Sequence, residues 1–226
     1  MSSEIMTTEI QDGTAVLRLD DGKANALSVA TQDAIHAGLD HAEKEAQSVV
    51  FAGRPGRFSG GFDLSVIKTG DASAMREMIK GGAELALRLY EFPMPVVMAC
   101  TGHAIAMGAV LLLSADTRIG VDGDFKIGLN EVAIRMTLPM FAIELAQDRL
   151  SRRHLQRAVN LAELYSPRDA VDAGYLDRVV AADALLDEAL AEARRYDPLD
   201  RRAHHGSKRN LRGATIERIR ASLDEL

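Results

Sequence analysis

Apolar side chains recur along the chain at two spacings that predict different elements. Residues 48–52 and 96–100 are continuous apolar runs, as expected for strands that are buried on both faces. Residues 29–45 instead repeat apolar positions at the spacing of a helix. The remaining predicted strands are residues 4–11, 14–20, 117–121, 124–127 and 176–180. The remaining predicted helices are residues 71–91, 106–114, 139–149, 151–163, 167–173, 182–195 and 207–224.

The order of these elements indicates the fold class. Strands alternate with helices first and give way to helices only, which predicts an α/β core with a C-terminal helical tail. The turn-rich residues 196–200 are the predicted hinge between a core at residues 1–195 and a tail at residues 196–226. We expect the tail to pack on the core or on a neighbouring subunit.

Composition excludes several classes of protein. The chain has 226 residues with 47% hydrophobic and 27% charged side chains, enough for one domain with a sizeable core. A net charge of -6 disfavours a nucleic-acid partner. Cys100 is the only cysteine, so an intrachain disulfide and a multi-thiolate metal site are excluded. The first residues do not form a signal peptide, and the longest apolar run, residues 104–113, is too short to span a bilayer, so we expect a cytoplasmic protein.

Two glycine-containing turns each follow a buried strand and precede a helix. They are FSGGFDL at residues 58–64 and TGHAIAMGAV at residues 101–110. Each turn alone could be a structural turn without a ligand, or a buried helix end satisfied by neighbouring backbone. Together they could direct two N–H groups at one oxygen, which predicts an oxyanion hole for an enolate or a tetrahedral intermediate.

Glu131 is the one carboxylate expected to face the pocket between these turns. Its apolar neighbours in sequence, Leu129, Val132, Ile134 and Met136, are expected to raise its pKa. The alternative is a carboxylate that only interacts with the dipole at a helix start.

Several motifs together resemble the crotonase (enoyl-CoA hydratase/isomerase) superfamily. Residues 57–64 and 102–108 resemble its two oxyanion motifs, and KANALS at residues 23–28 resembles its CoA-binding turn. Residues 166–180 resemble its late helix–strand signature, and GLNE at residues 128–131 resembles the Δ3,Δ2-enoyl-CoA isomerase branch. The resemblance implies a ββα spiral core, a C-terminal helical trimerisation region, and a homotrimer or dimer of trimers.

The same resemblance implies roles for individual residues. It places the oxyanion donors at the N–H groups of Phe62 and Met107, where Met107 replaces the family's usual glycine. Of the two acids that the hydratases carry, Val110 stands at the first position and Glu131 at the second. Met140 replaces a glycine that helps to seat the hydratase's water. The implied substrate- and CoA-binding residues are Lys23, Ala24, Ala26, Gly61, Asp63, Leu64, Gly108 and Pro139.

One carboxylate suits a proton shift better than hydration, because a single base that then acts as an acid can move a proton from C2 to C4. The sequence therefore predicts an enoyl-CoA isomerase with an acyl-CoA substrate and without a cofactor or metal. The alternatives are a hydratase with a reduced acid set and a non-catalytic acyl-CoA-binding protein. No Ser or Cys occupies residues 105–109, which argues against a peptidase that would use His103. We expect structural roles for His103, Cys100 and Asp116.

Overall fold

The computed structural model describes residues 5–224 and 226. Its strands are Met6–Gln11 (β1), Thr14–Leu19 (β2), Ala26–Leu27 (β3), Ser48–Ala52 (β4), Gly56–Ser59 (β5), Gly61–Phe62 (β6), Val96–Cys100 (β7), Gly102–Ile105 (β8), Thr117–Val121 (β9), Ile127–Gly128 (β10) and Arg178–Val180 (β11). Its helices are Val29–Glu45 (α1), Leu64–Thr69 (α2), Ala72–Tyr90 (α3), Met107–Leu113 (α4), Met140–Arg149 (α5), Arg152–Asn160 (α6), Pro167–Ala173 (α7), Leu185–Arg194 (α8) and Arg201–Leu223 (α9), and a short 3-10 helix spans Val132–Ile134.

The main sheet has the strand order β1-β2-β4-β7-β9-β11. The predicted hairpin is confirmed, because β1 and β2 pair antiparallel; every other pair in this sheet is parallel. Every residue of β4 and β7 is buried, as their continuous apolar runs predict. Phe51 and Met98 face the larger core, whereas Val50 and Val97 face a second core beneath α8.

Short strands beyond the main sheet carry the glycine turns. From β4 the chain passes through β5 and β6 into α2, from β7 through β8 into α4, and from β9 through β10 into the 3-10 helix. The short strands form two small sheets, β10-β8-β5 and β3-β6. This repetition of two strands and a helix confirms the predicted α/β fold with a ββα spiral core, and it brings the starts of successive helices together.

The structure corrects several predicted boundaries. The strand predicted at residues 176–180 begins at Arg178, and the helix predicted at residues 182–195 spans Leu185–Arg194. Residues 124–127 are not a strand, because only Ile127–Gly128 pairs with β8 and the Lys126 N–H donates to His103 Nδ1 instead. The helix predicted at residues 151–163 ends at Asn160. The last helix begins at Arg201 rather than at residue 207, because the Asp200 side chain caps it by accepting from the Ala203 N–H.

The C-terminal helix α9 packs on α3 and α5. Its buried Lys208 and Arg212 donate to the carboxylate of Asp116 at 2.7 and 2.9 Å. Asp116, which we expected to order a turn, also accepts from the Val96 N–H and so ties α9 to the start of β7. The division of core and tail at residue 196 stays a prediction. In the described residues, no helix has the length and hydropathy needed to cross a bilayer.

Candidate active site

The first glycine turn joins β5 to α2 through β6. Gly61 has a φ of 90°, and a Cβ there would lie 2.9 Å from the Ala106 Cβ and 3.0 Å from the Ile105 carbonyl oxygen. Glycine therefore fits both the backbone conformation and the close approach of the second turn. Asp63 ends the turn and caps α2 by accepting from the Ser65 N–H, as a residue of this type before a helix predicts.

The second glycine turn leads into α4. No side chain caps this helix, and the residue before it, Ala106, has a φ of 54°. A Cβ on Gly108 would lie 2.5 Å from the Ser59 carbonyl oxygen, so the backbones of the two turns are in direct contact. The predicted proximity of the two turns is confirmed, and the first N–H groups of α4 start beside β6.

The predicted CoA-binding turn adjoins the first glycine turn. The Gly60 N–H donates to the Ala24 carbonyl at 2.8 Å, and Ala26 pairs with Gly61 across β3 and β6. Asn25 secures this contact, because its buried amide donates to the carbonyls of Arg57 and Phe58. Sequence reasoning missed this role of Asn25, since its partners lie more than thirty residues away.

Glu131 follows β10 and stands at the start of the 3-10 helix. Its side chain makes no capping hydrogen bond. Its Oε2 is closed off from solvent and has no hydrogen-bond partner among the described residues. Burial raises the pKa of the Glu131 carboxyl, against the opposing effect of the backbone amides of Glu131 and Asn130. The predicted direction of the pKa shift is therefore confirmed.

A cavity of about 220 Å³ brings the predicted residues together. Phe62, Met107, Val110, Glu131 and Pro139 all line it. Glu131 is the one ionisable side chain among the described lining residues. Met136, an expected apolar neighbour of Glu131, also lines it, and the lining residues that the sequence did not predict are Ile79, Thr137, Phe141, Ala142 and Leu226.

The apolar surroundings of Glu131 come only in part from its sequence neighbours. Of the four expected neighbours, Leu129 is buried and Met136 lines the cavity. Val132 and Ile134 are instead 46% and 44% exposed and do not line it, so this part of the prediction is wrong. Phe62, Met107 and Val110 complete the apolar wall from elements distant in sequence.

The other predicted binding residues frame the cavity without lining it. Gly61 and Gly108 hold the two turns in contact. Lys23 is exposed, and its carbonyl accepts from Arg54 Nη1 at 2.8 Å, beside an open groove of about 460 Å³. Leu64 is 53% exposed at the start of α2. Met140, which stands at the position of the hydratase's glycine, is also exposed and does not line the cavity.

Two candidate nucleophiles or bases nearby have structural roles. His103 accepts from the Lys126 N–H through Nδ1 and packs edge-on against Phe125. The buried Cys100 thiol donates to the Gly102 carbonyl, and burial raises the pKa of this thiol to about 12. A thiolate at this position is therefore strongly disfavoured. Among residues 5–224 and 226, no group of three or more His, Cys, Asp or Glu side chains is arranged to hold a metal ion.

The names of known proteins with similar sequences and structures include both expected activities, isomerase and hydratase. The chain is 29% identical over 219 residues to mitochondrial enoyl-CoA delta isomerase 1 of Mus musculus, covering 95% of this chain and 76% of that protein. The crystal structure of an enoyl-CoA hydratase/isomerase family protein from Pseudomonas syringae has a TM-score of 0.96 and 42% identity, covering 100% of this chain and 97% of that one. An enoyl-CoA hydratase from Mycobacterium ulcerans has a TM-score of 0.94 and 40% identity, with coverages of 97% and 96%.

A family model supports the same assignment over most of the chain. The model described as enoyl-CoA hydratase/isomerase matches residues 9–214, which include both glycine turns and Glu131. The chain therefore belongs to the enoyl-CoA hydratase/isomerase family, the crotonase family that its motifs resemble.

Proposed function

We propose that the protein is an enoyl-CoA isomerase that converts 3-enoyl-CoA to 2-enoyl-CoA, with Glu131 as the only proton-transfer group. The observation that carries this proposal is the composition of the cavity wall. Glu131 is the one ionisable side chain among its described lining residues, and Val110 lines the same cavity where a hydratase would have its other acid. A hydrocarbon side chain cannot activate water or deliver a proton.

The proposed reaction is a 1,3-proton shift. The Glu131 carboxylate removes a proton from C2, and the electrons of the broken C–H bond form a dienolate whose charge rests on the thioester oxygen. The N–H groups of Phe62 and Met107 stabilise that oxygen. Protonated Glu131 then returns its proton at C4, which leaves the double bond between C2 and C3. The coenzyme A thioester is the substrate, no electrons are gained or lost overall, and the scheme needs no cofactor.

The environment of Glu131 supports this cycle. Its raised pKa brings the carboxyl closer to working pH, where one group can serve first as base and then as acid. The largely apolar wall also limits the access of water to the dienolate. Both properties favour return of the proton to the substrate.

A hydratase with a reduced acid set is the second candidate, and Thr137 is the observation that favours it. Thr137 lines the cavity beside Glu131, and its hydroxyl could hold a water molecule. Replacement by Val keeps the shape of this side chain while removing the hydroxyl.

The two functions are separated by supplying purified protein with 3-enoyl-CoA and 2-enoyl-CoA and identifying the products. We expect isomerisation of 3-enoyl-CoA, about 10²- to 10⁴-fold slower in the Glu131→Gln variant and retained in Thr137→Val. Hydration of 2-enoyl-CoA that is lost in Thr137→Val would instead support the hydratase. Binding of acyl-CoA without turnover would support a non-catalytic protein.

A further inference from the structure

Four buried polar atoms without partners belong to Glu131, its neighbour Asn130 and two tyrosines behind β10. The Tyr175 and Tyr165 hydroxyls, Asn130 Oδ1 and Glu131 Oε2 are all closed off from solvent and make no hydrogen bond among the described residues. A buried polar atom without a partner destabilises the fold, so several in one region require an explanation. The proton transfer proposed for Glu131 does not use either tyrosine.

Both tyrosines are held in place by their own backbones. Tyr165 exchanges two hydrogen bonds with Ile127, at 2.9 and 3.0 Å, four residues before Glu131. Tyr175 follows Gly174, the left-handed residue that ends α7, and donates its N–H to Ala170 at 2.9 Å. The two ring centroids are 5.8 Å apart. The phenols are therefore fixed elements of the wall behind β10.

Tyr175 is the phenol whose hydroxyl lies beside the backbone of Leu129, two residues before Glu131. Its side chain is fully buried, whereas that of Tyr165 is 3% exposed. Burial is the main cause that raises the pKa of Tyr175, Tyr165 and Glu131 raise it further, and the backbone of Leu129 opposes the shift. The pKa of Tyr165 is also raised, by burial and by Glu163, without a contribution from Glu131. Tyr175 therefore stays protonated at all working pH values and can act as a hydrogen-bond donor.

We propose that Tyr175 is a positioning residue for Glu131, whose ionised Oε2 accepts a hydrogen bond from the Tyr175 hydroxyl, either directly after a side-chain rotation or through one water molecule. An unpartnered donor and an unpartnered acceptor would then satisfy each other. Oε1 then remains for the substrate proton. This role deepens the proposed function and rests on it, since it assigns Tyr175 to the same proton-transfer step.

The test is the pH profile of kcat/KM for 3-enoyl-CoA in the Tyr175→Phe variant. Loss of a donor to the carboxylate disfavours its charged form, so the acid limb should move to higher pH by about one unit. Tyr165→Phe is the matched control, because it removes a buried hydroxyl from the neighbouring ring and should leave the acid limb in place. Replacement of Tyr175 by 3-fluorotyrosine, a stronger donor, should move the limb to lower pH.

A second readout does not depend on turnover. The pKa of Glu131, followed by carbon NMR of labelled glutamate in the folded protein, should rise in Tyr175→Phe and stay unchanged in Tyr165→Phe. An unchanged pKa of Glu131 in Tyr175→Phe, or an equal rise in both variants, would overturn the role of Tyr175. Absence of isomerisation by the wild-type protein would overturn the proposed function instead, while the NMR result still decides the contact.

Discussion

Glu131 combines a buried carboxylate oxygen with the absence of a protein partner for it among the described residues. Burial favours the neutral form of the carboxyl and is the main cause of its raised pKa, against the opposing effect of the backbone amides of Glu131 and Asn130. The same feature that suits a proton shuttle therefore carries a cost in stability when Glu131 ionises. Active-site residues commonly carry such a cost.

We predict that Glu131→Gln is more stable than the wild-type protein at neutral pH. The folded-state pKa of Glu131 lies above its unfolded value, so wild-type stability is greatest below that unfolded value and falls as pH rises through the folded pKa. Glutamine cannot ionise and loses no stability in this window. Urea denaturation of both proteins at ~pH 4 and ~pH 8 measures the difference. A difference that does not grow with pH would contradict this origin of the pKa shift.

Single residues of the site could be predicted when their role follows from a local motif. Phe62, Met107 and Glu131 belong to the motifs that resemble the family, and the structure places all three on one cavity. Asn25 and Tyr175 were not predicted for the site, because their roles depend on contacts with segments far away in sequence.

At the scale of elements, the site depends on how closely the two glycine turns approach each other. We predict that Gly108→Ala lowers kcat for isomerisation by about 10²-fold, the effect of displacing a catalytic group by about 1 Å. The added Cβ would meet the Ser59 backbone oxygen at 2.5 Å and push the turn that carries the Met107 N–H away from β6. Steady-state kinetics with 3-enoyl-CoA measure the loss.

Gly206→Ala is the control for that substitution. Gly206 lies inside α9, and a Cβ there would meet no atom within 4 Å. We expect unchanged kcat and a gain in stability of about 0.5–1 kcal/mol, because alanine favours helix more than glycine does. Equal kinetic effects of the two variants would show that contact between the turns does not position the site.

Elements were predicted best where the hydrophobic pattern is unambiguous. The buried strands β4 and β7 and the helix α1 match their predicted bounds. The start of α9 was missed because a glycine such as Gly206 disfavours helix. The helix nevertheless continues through Gly206, because Asp200 caps its first turn and the helix packs on the core. The predicted strand at residues 124–127 was wrong because most of its backbone finds no partner strand.

At the scale of the whole molecule, Asp116 links the C-terminal helix to the core. Its carboxylate accepts from the buried side chains of Lys208 and Arg212, and Lys208 also donates to the carbonyls of Phe92 and Met94. Burial lowers the pKa of Lys208 while Asp116 opposes that shift, so the two charges depend on each other.

We predict that Asp116→Ala destabilises the protein by about 3–5 kcal/mol, because it leaves two buried cations without their carboxylate. Glu217→Ala removes an exposed carboxylate of α9 that pairs with Arg220, and it should change stability by about 0.5 kcal/mol or less. Chemical denaturation compares both with the wild-type protein. An Asp116→Ala variant as stable as Glu217→Ala would show that the buried cluster does not hold α9.

The trimer or dimer of trimers that the family resemblance implies stays a prediction, which sedimentation equilibrium can check. The division into core and tail also stays a prediction. The packing of α9 on α3 and α5 shows where a tail of this kind contacts its own chain.

The central claim is that one carboxylate, Glu131, moves the proton. The most direct measurement is the single-turnover rate of 3-enoyl-CoA isomerisation by the wild-type protein and the Glu131→Gln variant, with the exposed Glu84→Gln variant as the matched control. We predict a rate about 10²- to 10⁴-fold lower for Glu131→Gln and an unchanged rate for Glu84→Gln. A Glu131→Gln variant that isomerises as fast as the wild-type protein would contradict the claim.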